Sequence, residues 1–434
     1  AKTPEGGWVI GWNWDESQWE EPPPNPRVRL GADEPRSVRP AREPLTPEDL
    51  DAVSTKHKVL ARRTCGHKLV VNAAGLASLD LREDLPGLVH DNGRLTGLIT
   101  EDAAYEAWEQ CAPTFETCVK GLRIESKKLA QLGITSIADT SWHREVQLLT
   151  AGAREGWFLQ RSAMYVHEDL LSHLKALHLG AMPNDRCALL GVKTYADGSI
   201  GARTAAMREP YEDPGPGPGP RPGPADRGML LRSPKEIESL ARTVHGLGLQ
   251  LKAHAIGDAA IDAVIDGVEA AEVPRTARPR LEHGELLHAD HLERMRELGM
   301  VASMQPNFIG NWQHAGGLYE ERLGKARTLA MNPIKSILDA GVPLAFSSDG
   351  MPYGPLYGIA CATQHPDPKE RITVEQGITA YTRGAAYALG MEHERGVLKA
   401  GALGDAVVLA EDPRRARDVA KVRVERTIIG GRAV

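Results

Sequence analysis

A chain of 434 residues with 41% hydrophobic and 25% charged side chains is soluble-globular in composition, with apolar mass for one large core or two to three smaller ones. Its net charge of −6 gives no electrostatic footprint for nucleic acid, and no Lys/Arg cluster suggests a membrane surface. No apolar run approaches the roughly 20 residues of a membrane span, and the cysteines are scattered without a CxxC, which suits reduced thiols in a cytoplasmic protein.

Residues 1–58 are rich in Trp, Pro and Arg, and the prolines keep regular helix or strand out of most of the stretch. It reads as a surface wrap or insertion, and its aromatic cluster of Trp8, Trp12, Trp14 and Trp19 also suits a substrate mouth. Thr46 caps a short helix PEDLDAV, with Pro47 at the first helical position and acids in the first turn. VLARR then opens as a strand, a turn carrying His67 follows, and an amphipathic helix is expected from about Thr100 to Leu132.

From Gly133 the rhythm is regular. GITSIADT (133–140), QRSAMYV (160–166), LLGVKTYAD (189–197), LQLKAHAIGD (249–258), PRLEHGE (279–285), MVASMQPN (300–307) and VPLAFSSD (342–349) read as strands, most of them separated by helical segments. That alternation implies an α/β fold with a parallel sheet and, at this length, a (β/α)8 TIM-like barrel, for which VLARR is the only upstream candidate for an eighth strand. PGPGPGPRPGP (214–224) is low in complexity and expected to be a mobile solvated loop. The β-runs VVLA and RTII near the C-terminus fall outside the rhythm and suggest part of a small β-domain.

A parallel β/α barrel delivers reactive side chains from the C-terminal ends of its strands. His254 and His283 each close a short apolar strand there, and two neighbouring strands with one imidazole each are a way to hold a metal; packing or hydrogen bonding is the bland alternative for either alone. Lys193 sits in an apolar strand, where burial disfavours its charge unless it is paired. Asp349 ends VPLAFSSD, where a turn-forming Asp is the alternative. The barrel's geometry would bring all four to one mouth.

In that order the residues resemble the metal-dependent amidohydrolase superfamily, and within it a third branch with enzymes similar to N-substituted formamide deformylase. The resemblance is carried by GWNWDESQW, PEDLD, GHKLVVNAAGL, KTYADGSIGARTAA, PY at 210–211, AHAIGDAAID, RLEHGE, SSDGMP, GALGDAVVLAEDP and TIIGGRAV. It implies a Lys193 carboxylated on its amine so that it bridges two metals, His254 and His283 on one metal, and Asp349 touching the other and serving as general base and acid. It also implies hydrolysis of a C–N bond in a small amide, formamide or cyclic amide. The implied cofactor is one or two divalent ions, Zn before Mn or Fe, and the weakly implied assembly is a homodimer. Substrate contacts are expected at His67, Asp197 and Arg203. Asp258 is expected to support its turn or to orient His254, and His288, His291, His314 and His365 to be surface or substrate-loop residues.

The resemblance moves VLARR out of the barrel. It leaves residues 1–110 as a pocket-covering insertion, 111–395 as the hydrolase barrel lacking its first strand, and 396–434 as the C-terminal part of a small β-sandwich. The family's first barrel strand ends in a His-x-His pair, and no His-x-His occurs in this sequence. Three expectations follow: a truncated chain whose missing N-terminal segment completes the site, a one-metal hydrolase using Lys193, His254 and His283, or an amidohydrolase-like binding protein without metal or activity.

Overall fold

The apolar runs assemble as the alternation requires in the computed structural model, which describes residues 3–14, 45–64, 66–111, 113–182, 184–212, 226–350 and 353–434. In chain order the strands are β1 (Trp8–Trp14), β2 (Lys58–Arg63), β3 (Lys68–Val71), β4 (Leu88–Asp91), β5 (Arg94–Thr100), β6 (Ser136–Ser141), β7 (Arg161–His167) and β8 (Cys187–Tyr195). They continue with β9 (Gln250–Ala255), β10 (Arg280–His283), β11 (Val301–Met304), β12 (Leu344–Phe346), β13 (Ala406–Leu409), β14 (Val424–Ile429) and β15 (Arg432–Ala433). Contacts divide the chain into two units, residues 1–112 with 210–226, and residues 113–209 with 227–434.

The larger unit holds a sheet in the order β12-β11-β10-β9-β8-β7-β6, parallel at every pairing. The sheet is curled. Lys252 on β9 reaches the Ala138 carbonyl and the Thr140 hydroxyl on β6 at 3.5 and 3.3 Å, although β6 lies three strands away, roughly 14 Å along a flat sheet. A side chain spans that gap only when the two strands face each other across a concave interior. The sheet is therefore a seven-stranded half-barrel, with helices packed behind it. The helix Asp258–Ala271 shows why they stay: Ile261, Val264, Ile265 and Val268 are all buried, at the spacing of one helical face, and each contributes about 1.5–3 kcal/mol through burial.

The expected long helix from Thr100 to Leu132 is two helices, Glu101–Cys111 and Phe115–Gln131. Pro113 accounts for the break, because it has no N–H to donate and its ring clashes with the preceding turn. Thr114 then caps the second helix, its hydroxyl accepting the Thr117 N–H at 3.3 Å.

β13, β14 and β15 form a separate antiparallel sheet in the same unit. It is held to the barrel by Arg161 at the start of β7, which donates to both carboxylate oxygens of Asp405 at 2.6 and 3.0 Å. The Thr427 hydroxyl adds a bond to the Ala130 carbonyl at 2.6 Å.

In the smaller unit the strands run β1-β2-β3-β5-β4, around a core that includes Leu60, Leu69, Val71 and Ile99. VLARR lies here as β2, outside the barrel. The capping box on Pro47–Val53 forms as the sequence requires. β1 adds one regular element to the N-terminal stretch that the sequence reading did not place: six of its seven residues pair in parallel with β2, with a bulge at Asn13. Trp12 packs edge-on against Trp108 at 4.4 Å, with the Arg62 guanidinium 5.8 and 5.2 Å from the two rings. Trp19 and the 214–224 loop lie outside the described residues. Among the described residues no helix is long and apolar enough to cross a membrane.

Candidate metal centre

Side chains two apart on a strand share a face. Tyr165 lies beneath Lys252 and Arg280, ring to cation, at 5.3 and 5.0 Å, so its face of β7 is the concave one. The pairs Tyr165/His167, Lys193/Tyr195 and Lys252/His254 thus line the interior, with the second member of each nearer the mouth. An arc of rings follows the strand ends. Trp142 and His167 stand 4.8 Å apart, His167 and Tyr195 5.8 Å, Tyr195 and His254 5.2 Å, and His254 and His283 4.5 Å.

His254 is fixed from behind. Its Nε2 lies 2.9 Å from the Gly198 carbonyl, which only accepts, so the ring proton is on Nε2 and the lone pair on Nδ1. Asp197, fully buried, accepts the Ile256, Ala206 and Gly257 N–H groups at 3.0, 2.9 and 2.8 Å. One of its oxygens is 3.4 Å from His254 Nε2. The carboxylate thereby locks the end of β8 to the end of β9. The lock needs Gly257, where a Cβ would stand 1.9 Å from the Ala206 carbonyl oxygen.

His283 and Asp349 both have left-handed backbones, φ 70° and 50°, and such non-glycine positions gather at functional sites. Asp349 occupies an exposed turn just beyond β12. Its charge acts on Lys193, Lys252 and Glu285, although the ligand atoms of His254, His283 and Asp349 do not all lie within 4.8 Å of one another.

Lys193 is buried at 3% exposure, with its Nζ 4.3 Å from the Tyr195 ring centre. Burial first, then the charge of Lys252, its partner across β8 and β9, drives its pKa well below the ordinary lysine value against the pull of Glu282 and Asp349. The neutral amine so favoured is the form that takes up carbon dioxide as a carbamate. In register with it and with His254 runs a charged cluster absent from the sequence reading, Lys252, Arg280 and Glu282. Glu282 accepts from Arg280 at 2.9 Å and from Ser303 at 3.0 Å. Burial alone would raise its pKa, but Arg280, Lys252 and Lys193 hold it down to about 2.

The remaining expected residues divide. Arg203 sits at φ 62° in the loop after β8, its N–H on the Ile200 carbonyl at 3.0 Å. His67 belongs to the smaller unit, buried, with Nδ1 2.8 Å from Glu101. Asp258 supports its turn by accepting the Arg208 N–H at 2.6 Å and stands 3.3 Å from His288, so orienting His254 falls to Asp197 instead. His314 is exposed. His291 and His365 are fully buried, which corrects their expected surface placement. His365 is held by the Met331 carbonyl at 3.0 Å. His291 joins Asp262 and Asp290 in a group with metal-like spacing, but the Arg208 guanidinium bonds all three and supplies the cation.

Glu285, two residues beyond His283, is a buried carboxyl that the sequence reading passed over. Burial and the nearby Asp349 charge push its pKa up to about 7, against hydrogen bonds to Tyr319 and Asn332. A carboxyl with a raised folded pKa destabilises the fold as pH climbs from its unfolded value through the folded one. Metal-free Glu285→Gln protein is therefore expected to be more stable than wild type at pH 8, by roughly 3 kcal/mol. The advantage should vanish near pH 4.5, as urea melts at the two pH values would record.

The whole chain, residues 1–434, matches the amidohydrolase family model. It is 26% identical to a putative amidohydrolase, YtcJ, of Bacillus subtilis across 100% of this chain and 80% of that protein. An N-substituted formamide deformylase of Arthrobacter pascens is 29% identical over 53% of this chain and 45% of its own length. Among solved structures, an uncharacterized metal-dependent hydrolase of Pyrococcus horikoshii superposes with a TM-score of 0.72 at 26% identity, covering 96% of this chain and 80% of that one. With a curled parallel sheet and imidazoles at its strand ends, this chain belongs to the amidohydrolase family.

Proposed function

We propose that the protein is a metal-dependent hydrolase of C–N bonds in small molecules, with an amide, formamide or cyclic amide as substrate. The observation that carries this reading is the Gly198–His254 hydrogen bond. It fixes the His254 lone pair on Nδ1, on a ring 4.5 Å from that of His283 and 5.2 Å from that of Tyr195, on which sits Lys193, whose burial favours the neutral amine. Two imidazoles and a carboxylated Lys193 are a donor set that fits one divalent ion with a position left open. Their mixed N/O character suits Zn, Mn or Fe.

A bound ion would supply Lewis-acid polarisation of the substrate carbonyl and a water made acidic near neutral pH. The protein's own groups do the rest. Asp349, on its exposed turn, takes the proton of the attacking water and hands it to the leaving nitrogen as the C–N bond breaks. Asp197 holds the ends of β8 and β9 in register so that His254 keeps its tautomer, a positioning role in place of the substrate contact expected from sequence. Arg203 remains the candidate for substrate contact in the loop after β8.

Elemental analysis of the purified protein tests the reading. One or two equivalents of Zn, Mn or Fe are expected, with chelator lowering the melting temperature and abolishing hydrolysis of N-substituted formamides and small amides. No metal, and melting unchanged by chelator, would sink it.

A further inference from the structure

β7 ends on an imidazole that the proposed centre does not use. His167 is on the concave face with Tyr165, is 9% exposed, and is the backbone partner of Lys193 across β7 and β8. It is held from two sides. Trp142 stacks on it at 4.8 Å and 20° between planes, which sets the ring plane. Asp169 accepts from Nδ1 at 2.8 Å, which sets the flip and puts the proton on Nδ1 and the lone pair on Nε2. The Asp169 N–H also faces Nδ1, at 3.5 Å, where His167 caps the short turn Glu168–Leu170; that contact is at the limit of a hydrogen bond, and the 2.8 Å carboxylate contact decides where the proton sits. Tyr195 separates His167 from His254, at 5.8 Å from one ring and 5.2 Å from the other. A group meeting His167 would therefore lie beside the reacting bond rather than on it.

We propose that His167 is a substrate-binding residue whose Nε2 accepts a hydrogen bond from an N–H or O–H donor that the substrate carries beyond its scissile bond. Trp142 and Asp169 act as its positioning residues. The proposal rests on the hydrolase reading and adds to it a substrate class: small amides with a second polar donor.

Two substitutions separate this from a structural role, because an asparagine amide falls near the imidazole Nδ1 and a glutamine amide near Nε2. His167→Asn can keep the Asp169 bond and lose the acceptor; His167→Gln does the reverse. With the best substrate from a panel of N-substituted formamides, simple amides and cyclic amides, His167→Asn is expected to raise KM about 10–100-fold with a smaller change in kcat. Metal content and melting temperature should be retained, and His167→Gln should recover most of the loss. Wild-type protein should show the same KM rise on an analogue with the second donor methylated. The reverse order, His167→Asn wild-type-like and His167→Gln impaired, overturns the proposal, as does wild-type KM in both variants. Wild-type protein that hydrolyses no member of the panel overturns the hydrolase reading and this proposal with it.

Discussion

Asp349→Asn is expected to lower kcat by about 10²–10⁴-fold, the usual worth of a positioned general base and acid, while leaving the fold intact. The backbone supports so clean an outcome. Asp349 sits at φ 50°, a conformation that asparagine tolerates as well as aspartate does, and it is exposed on its turn. Substitution there should move stability by no more than about 0.5 kcal/mol. The change removes a charge that opposes the loss of the Lys193 proton, so the lysine is left no less neutral. An ion at His254 and His283 should persist in the variant. Steady-state kinetics with melting and metal content measured on the same sample would check this; activity within a few-fold of wild type would remove Asp349 from the mechanism.

His283→Asn should do the opposite, abolishing metal uptake and with it all turnover, again with the fold retained. At φ 70° His283 occupies the left-handed region, where asparagine is one of the few well-tolerated replacements, so the loss of a ligand is not confounded by strain. His254→Ala should lose the metal too but also melt earlier. His254 is buried at 2% exposure and bonds the Gly198 carbonyl, so truncation leaves a cavity and an unmet acceptor, each costing about 1–3 kcal/mol. Metal titrations followed by calorimetry distinguish the two variants. Wild-type metal affinity in His283→Asn would dismantle the proposed centre.

The strands of the half-barrel were legible because each is a short, largely apolar run, most of them followed by a polar or Gly-containing turn and a helical segment. His254, His283 and Asp349 stood out as candidates because they stand where such runs end, and Lys193 because it is a charge inside one. Asp197 was read as the last residue of its strand and a candidate substrate contact. Its partners are N–H groups at positions 206, 256 and 257, and nothing local announces that the chain returns to it. His167 was missed because its strand was ended at Val166; the alternation of Tyr165 and His167 was the available signal. The cluster of Lys252, Arg280 and Glu282 was passed over because attention went to the residues at the strand ends, although K-A-H and R-L-E alternate in plain view. Pro113 marked the helix break and was overlooked in favour of the amphipathic period on either side.

The proposed function requires a metal at the strand ends. Crystals grown with zinc and measured at its absorption edge would place it directly. The expected anomalous peak lies at bonding distance, about 2.0–2.1 Å, from His254 Nδ1 and a ring nitrogen of His283, with density for a carboxylated Lys193 beside it. A peak at Asp262, Asp290 and His291 instead, or none at the strand ends, would contradict it.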